Sequence, residues 1–517
     1  MGIPSLFYFL SKKYNNILQK KIPNIDNLYF DLNSLIHPQC YKILEENPTW
    51  NNIEYIENKM INQIKSQINL IIKYINPNKL VYLSIDGVAP IAKIKQQRDR
   101  RYKSIKTKEY IYNKKQEFNI DQENIWDSNC ITPGTEFMKK LNTEINKFIK
   151  NDIAFKGKII FSSSDEPGEG EHKILQYLKN KKKSEYECIY GLDADLIMLS
   201  MISGISNIFL FRENSNESFD IVNIKLLKKN LQNEICDNLS SSENISNQNL
   251  INDFVFYCFL IGNDFIPSIP SLRIKDGGIL ILISIYCNIF EKINEHLILN
   301  NKINESFLLL LFENLSIVEE NTLQTFTTYD NNYTINNSFS NEYEKEIFKY
   351  EKNLIYDKEN LNIGFNDYKF KYYKKYFYIN YKLDSIDNIC KSYINTLQWI
   401  YKYYFFKCCN WHFYYPYYIS PFASDIYTYL LNNKNVINDS ITKKNKSIKQ
   451  IEQLLLVLPP QSNSILPNNY QYLQKKNSPI YDLYPKSFNE IIIGNQNWKN
   501  IPILPNLDYN RIAKLIN

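Results

Sequence analysis

Two acid pairs stand out in this 517-residue chain: Glu169 and Glu171 in "DEPGEGEHKI", and Asp193 and Asp195 in "GLDADLIML". Three more aspartates join them by context. Asp31 and Asp86 each end an apolar run, and Asp264 follows one in "LIGNDFIPSIP". In a loop or extended segment, residues two apart face the same side, so each pair can present two carboxylates to one place. Gathered carboxylates repel one another and hold their protons unless a cation sits among them. Mg²⁺ accepts such oxygen ligands. Two ions roughly 4 Å apart activate a water and stabilise a leaving oxygen in phosphodiester hydrolysis. Taken alone, "GEGE" is better read as a turn whose acids favour a helix N-terminus, and one strand-end Asp as a helix cap. Several acids at one sheet edge point instead to a metal-dependent phosphodiesterase.

A basic segment begins at one of these acids. "DGVAPIAKIKQQRDRRYKS" runs from Asp86 to Ser104. If it is helical from about Ile91, then Lys93, Gln97, Arg100 and Arg101 share a face, since residues three and four apart are helix neighbours. Arginine offers paired donors that match phosphate geometry. A solvated basic helix face is the plainer alternative, and the adjacency to Asp86 favours phosphate binding. His37, six residues beyond Asp31, lies near the same edge. It is either a surface histidine or a ring that stacks on a base. The aromatic stretch "CCNWHFYYPYYISPFASD" (Cys408 to Asp425) reads mainly as core.

The acids need a scaffold that brings strand ends together. "LYFDLN", "LVYLSID", "KIIFSS", "CIYGLD" and "NIFLFR" read as buried strands alternating with helical patterns, which argues for a parallel α/β sheet. Open parallel sheets bind ligands at the carboxyl ends of their strands. Ile53 to Ile75 reads as a long amphipathic helix. Ser240 to Asn249 and Thr322 to Asn341 read as solvated surface loops. The net charge of +6 is too small to argue for a polyanionic partner. Frequent Asn, Ile, Lys and the 41 Tyr suggest an AT-rich coding bias, as in a protist or a large DNA virus. The nine scattered cysteines, without a CxxC pair, suggest free thiols and no structural zinc. No apolar run approaches the roughly 20 residues a bilayer requires, so no membrane partner is expected. The expected location is intracellular and soluble, cytoplasmic rather than nuclear.

At these residues the chain resembles the 5′→3′ exoribonuclease family of cytoplasmic mRNA-decay and nuclear transcription-termination enzymes. The motifs run in family order: "MGIPSLFYFLSKKY", "FDLNSLIH", the basic segment, "NCITPGTEFM", "EPGEGEHKI", "YGLDADLIML" and "CFLIGNDFIPSIPSLRIKDGGI", then "SYINTLQWIYKYYF", "WHFYYPYYISPFASD", "EQLLLVLPP" and "SPIYDLYP". The resemblance implies a PIN/flap-nuclease-like parallel-sheet core with helices on both faces, and a mainly helical, aromatic-rich C-terminal region. Expected divisions are a core over 1–290, a connecting segment over 291–385 and a second conserved region over 386–517. The chain given ends soon after that region, so a compact member without long C-terminal extensions is expected.

The resemblance also implies roles. Asp31, Asp86, Glu169, Glu171, Asp193, Asp195 and Asp264 would bind two Mg²⁺ ions, with Mn²⁺ substituting. Lys93, Gln97, Arg100 and Arg101 would form a 5′-monophosphate pocket. His37 would stack the terminal base against a tryptophan; the family's W-x-W reads Trp411-His412-Phe413 here, leaving Trp411 or Phe413 for that role. The implied activity is processive 5′→3′ hydrolysis of 5′-monophosphorylated single-stranded RNA by a monomer. The competing readings are a flap-type DNA nuclease and an inactive RNA-binding scaffold.

Overall fold

Strands buried on both faces must be apolar along their whole length, and the runs rich in Ile, Val, Leu, Phe and Tyr meet that demand. The computed structural model describes residues 5–120, 126–181, 185–214, 218–240, 247–331, 339–354, 365–377, 379, 383–437, 445–494 and 496–516. Its main sheet has seven strands: β1 (Leu18–Gln19), β2 (Asn27–Asp31), β3 (Leu80–Ser84), β4 (Lys158–Ser162), β5 (Glu187–Tyr190), β6 (Ile208–Glu213) and β7 (Phe219–Asn223). Their order is β1-β7-β6-β5-β2-β3-β4. The five expected strands pair in parallel, as β6-β5-β2-β3-β4. The sheet is nonetheless mixed, because β7 runs antiparallel to β6 and β1 antiparallel to β7. These two antiparallel strands escape a hydrophobic scan: β1 has two residues, and in β7 Asp220 and Asn223 interrupt the apolar run.

Side chains alternate across the sheet. Leu28, Phe30, Val81 and Leu83 pack under the helices Asn33–Glu46, Ile53–Ile75 and Glu136–Asn151. Tyr29, Tyr82, Ile189 and Leu210 face the opposite layer, with the helices Gly170–Lys179, Asp195–Ile202, Asn247–Phe259 and Gly278–Ile293. That second layer continues into the aromatic helices Leu383–Phe405 and Ala423–Asn432. Helices thus cover both faces, as expected.

The basic segment is a helix over Ile91–Glu117. Its first turn is not solvated. Val88, Ala89, Ile91 and Ile94 pack against Leu454 to Leu458, Leu466, Leu473 and Ile480 of the C-terminal region. Arg98, 4% exposed, donates to the carbonyls of Pro505 and Leu483, both at 2.6 Å. Lys103 and Lys106 clasp Glu490 at 2.6 and 2.8 Å.

Two loop expectations are corrected. The helix Asn247–Phe259 begins inside the Ser/Asn-rich stretch; residues 241–246 lie outside the described residues. In the second stretch, residues 332–338 lie outside the described residues, and Thr322 to Asn331 continues the helix Glu305–Asn331. Leu323 and Phe326 are buried there, and Thr322 and Thr325 donate their hydroxyls to carbonyls one turn back. That backbonding satisfies in a helix the polarity that reads as loop. All nine cysteines are free. No helix among the described residues is long and apolar enough to cross a membrane.

Arg98→Met removes a buried cation that satisfies two carbonyls. Urea unfolding should show a loss of about 2–3 kcal/mol, the range for hydrogen bonds to charged groups; an unchanged midpoint would show that the C-terminal region does not hold this helix.

Candidate active site

Six of the expected acids sit at or just beyond the carboxyl ends of the parallel strands, and Asp264 joins them from a turn after a helix. Asp31 closes β2; Asp86 lies just past β3, and Asp193 just past β5. Glu169 stands at the N-cap position of the helix Gly170–Lys179 without capping it by its side chain, Glu171 lies in the first turn, and Asp195 opens the helix Asp195–Ile202. Asp264 follows the helix Asn247–Phe259 in a turn where Asn263 Oδ1 accepts from the Phe265 and Ile266 amides.

Close backbone contacts lock the loops together. Gly87 donates to the Gly168 carbonyl at 2.9 Å, and Gly168 donates to that of Val88 at 2.8 Å. A Cβ on Gly87 would lie 1.8 Å from the Glu166 carbonyl oxygen, so only glycine fits. Gly170 donates its amide to Asp86 Oδ1 at 2.6 Å, and a Cβ there would come within 2.8 Å of Asp31 Oδ1. Of the glycines of "PGEGE", Gly170 is needed for its close approach to the acids, and Gly168 for its positive φ of 114°. Lys173 clamps the same loops, donating to the Ile85 and Ser163 carbonyls at 2.8 and 2.9 Å. Ser34 donates to Asp31 Oδ2 at 2.6 Å and accepts from the Leu192 amide, tying β2 to the loop that bears Asp193. Arg212 holds that loop from β6 through the Leu192 and Asp193 carbonyls.

Asp31, Asp86 and Glu171 each offer an oxygen within 4.8 Å of the others. Lys93 enters the cluster, with its ammonium 2.5 Å from Glu169 Oε2 and 2.7 Å from Asp264 Oδ2. Burial, then Asp86 and Asp193, push the Asp31 carboxyl up to about 8. Burial, then Asp264, push Asp195 up to about 7. Glu171 is driven well above the carboxylate range by burial and then by Glu169. Burial would discharge Lys93, but Asp264, Glu169 and Glu171 outweigh it and keep the ammonium charged. Asp31 Oδ1 and Asp195 Oδ1 are buried without a hydrogen-bond partner. Crowded, proton-holding carboxylates with orphaned oxygens fit a hard divalent cation, which takes oxygen ligands and removes the repulsion.

The stripe on the basic helix divides. Lys93 belongs with the acids. Gln97 accepts from Gln453 Nε2 at 3.4 Å, and Gln453 in turn accepts from the Ala89 amide. Arg101 is 7% exposed; its Nε is buried without a partner, and NH1 donates to the Asn129 carbonyl at 3.3 Å. Burial and then Arg100 destabilise its cation. His37 lies beside both arginines: burial, then their charges, lower its imidazole to about 4, so it is neutral at pH 7. The partly buried Phe413 ring stacks on the core residue Trp399 at 5.8 Å. Trp411 stacks on no ring among the described residues, and its carbonyl accepts from Ile91 at 2.8 Å, at the start of the basic helix.

Three residues of the site had no readable signal. Tyr403 donates to Glu169 Oε1 at 2.7 Å, but one tyrosine among 41 is invisible. Gln453 and Arg212 act from remote segments through the fold alone.

The N-terminal part, residues 1–214, matches the family model described as the XRN 5′-3′ exonuclease N-terminus, and residues 244–360 and 328–517 match the Xrn1 helical domain. A Homo sapiens 5′-3′ exoribonuclease 1 is 31% identical, over 99% of this chain and 34% of the human protein. The Schizosaccharomyces pombe 5′-3′ exoribonuclease 1 is 28% identical, over 99% of this chain and 48% of its own. The Gallus gallus 5′-3′ exoribonuclease 2 is 26% identical, over 99% of this chain and 69% of its own. The chain thus spans a third to a half of the length of the first two.

The raised carboxyls set a pH dependence. An aspartate in the unfolded chain titrates near 3.9, whereas folded Asp31 holds its proton up to about 8. The folded state therefore binds more protons over that window, and the metal-free protein loses stability as pH rises through it. A divalent cation held by these acids would replace those protons. At pH 8, free Mg²⁺ at 100 times its Kd should add about 2.7 kcal/mol; at pH 5 the gain should be much smaller. Thermal unfolding with Mg²⁺ or EDTA checks this, and a Tm indifferent to Mg²⁺ at pH 8 contradicts the assignment.

Proposed function

This chain belongs to the XRN 5′-3′ exonuclease family, and from that premise we propose that it is a 5′→3′ exoribonuclease. Its substrate is single-stranded RNA bearing a 5′ monophosphate, and its product is nucleoside 5′-monophosphates. The observation that carries this reading is the division of labour along one helix. Arg98, Lys103 and Lys106 are spent on the C-terminal region. Arg101 keeps a buried donor without a partner beside Arg100 and a neutral His37. Two turns earlier, Lys93 stands among the acids.

In this reading Arg100 and Arg101 grip the terminal phosphate through charge-assisted hydrogen bonds. Gln97, braced by Gln453, lines the same pocket. The neutral His37 ring and Trp411 sandwich the first base, and Phe413 is left to the core. At about 1.5 Å per residue, the seven residues from Lys93 to Arg100 span roughly 10 Å. That leaves room for about one nucleotide between the gripped phosphate and the acids. Two Mg²⁺ ions, or Mn²⁺ in their place, held by Asp31, Asp86, Glu169, Glu171, Asp193, Asp195 and Asp264, supply an acidified water and Lewis-acid stabilisation of the leaving oxygen. Lys93 fixes Glu169 and Asp264 in place, and Tyr403 orients Glu169 from the other side.

Matched RNAs with 5′-monophosphate, 5′-triphosphate or 5′-hydroxyl ends, incubated with Mg²⁺, test the reading. Mononucleotides should appear from the first alone; internal cleavage, or equal hydrolysis of DNA, would refute it. Glu171→Gln should abolish hydrolysis while RNA binding persists, and undiminished turnover would remove Glu171 from the site. Arg100→Ala should reduce the preference for monophosphate over hydroxyl ends by about 1.5–3 kcal/mol, the value of a charged hydrogen bond, with kcat/KM on the two RNAs as the measure.

A further inference from the structure

His172 follows Glu171 in the first turn of the helix Gly170–Lys179 and has no part in the roles assigned above. It is 6% exposed. One of its ring nitrogens and carboxylate oxygens of Glu169 and Glu171 lie within 4.8 Å of one another. Its Nδ1 is buried with no hydrogen-bond partner. The ring does not drift: Tyr403 stacks on it at 3.8 Å and 23°, and Tyr404 meets it edge-on at 5.4 Å. Tyr403 also donates to Glu169 Oε1, so one tyrosine positions both groups. An orphaned nitrogen in a buried ring is costly, and a neutral imidazole nitrogen is a common metal ligand.

Two sets of three donors therefore share Glu171. Asp31, Asp86 and Glu171 offer oxygen alone; Glu169, Glu171 and His172 offer oxygen and nitrogen. Oxygen ligands suit Mg²⁺, whereas imidazole draws transition metals. We propose that His172 donates nitrogen to a cation shared with Glu169 and Glu171, so that the centre has one oxygen-only position and one mixed position that favours transition ions over Mg²⁺, for which Mn²⁺ is the spectroscopic probe. Lys93 competes for Glu169, at 2.5 Å, and keeps Asp264 as a partner at 2.7 Å when a cation takes its place. The inference rests on the metal-dependent reading of the acids, and deepens it.

The test uses the full chain with Mn²⁺ alone and no nucleic acid. Pulsed electron paramagnetic resonance of the Mn²⁺-loaded protein should show nitrogen-14 modulation from a directly bound imidazole. His172→Phe keeps a ring on Tyr403 but removes the donor. It should lose the modulation and bind Mn²⁺ on the order of tenfold more weakly by calorimetry, the lower end of what perturbing a metal centre costs. Mg²⁺ binding at the oxygen-only position should be unchanged. Circular dichroism and metal-free unfolding confirm the fold, and His172→Asn serves if the phenylalanine variant does not fold. Mn²⁺ bound without nitrogen modulation in the unsubstituted protein, or bound equally tightly by the variant, overturns the inference and leaves the nuclease reading standing. Absence of any divalent binding overturns both.

Discussion

The Lys93 ammonium sits between Glu169 and Asp264, at 2.5 and 2.7 Å, inside a cluster of buried carboxylates. Taking charges out of water is expensive unless they are paired and hydrogen-bonded. The acids offset that expense in three ways. They share Lys93, they accept from fixed donors such as the Gly170 amide and the Tyr403 hydroxyl, and several hold protons far above their usual range. A cluster in this condition is poised to exchange protons for a cation. It also sets a demand on the fold, because the helix that carries Lys93 must be immobile.

The C-terminal region meets that demand. Its leucines, from Leu454 to Leu458, bury the first turn of the helix, and the Pro505 and Leu483 carbonyls hold Arg98. The Trp411 carbonyl accepts from Ile91, and Gln453 links the Ala89 amide to Gln97. Tyr403 reaches across to Glu169. The site is therefore built from both halves of the chain: the sheet supplies the acids, and the aromatic layer fixes the groups that orient them. Several cations of the basic helix thus serve the architecture rather than the solvent.

Much of the scaffold was legible because its physics is local. Parallel strands covered on both sides must read as continuous apolar runs, so β2 to β6 were visible. The glycines at 168 and 170 marked a turn, but neither the approach of Gly170 to the acids nor the contact of Gly87 with the Glu166 carbonyl could be read. The two antiparallel strands were not visible, since β1 is too short and Asp220 and Asn223 break the apolar run of β7. Thr322 to Asn331 misled because threonine and asparagine signal loops unless the preceding apolar helix carries them along, as here, with Leu323 and Phe326 buried.

By itself the sequence determined the chemistry: seven acids, a four-residue basic stripe and an ordered series of motifs, each legible from residue type and short spacing. The tertiary structure alone decided what those groups touch. It set the Lys93 ammonium between Glu169 and Asp264, stacked Phe413 on Trp399, and placed His172 against Tyr403 with an unmet nitrogen. The physical reason is range. Spacing along a chain fixes which residues share a helix face or a turn. Burial, the field of neighbouring charges and the partner of each polar atom depend on segments hundreds of residues apart, and only folding brings those together.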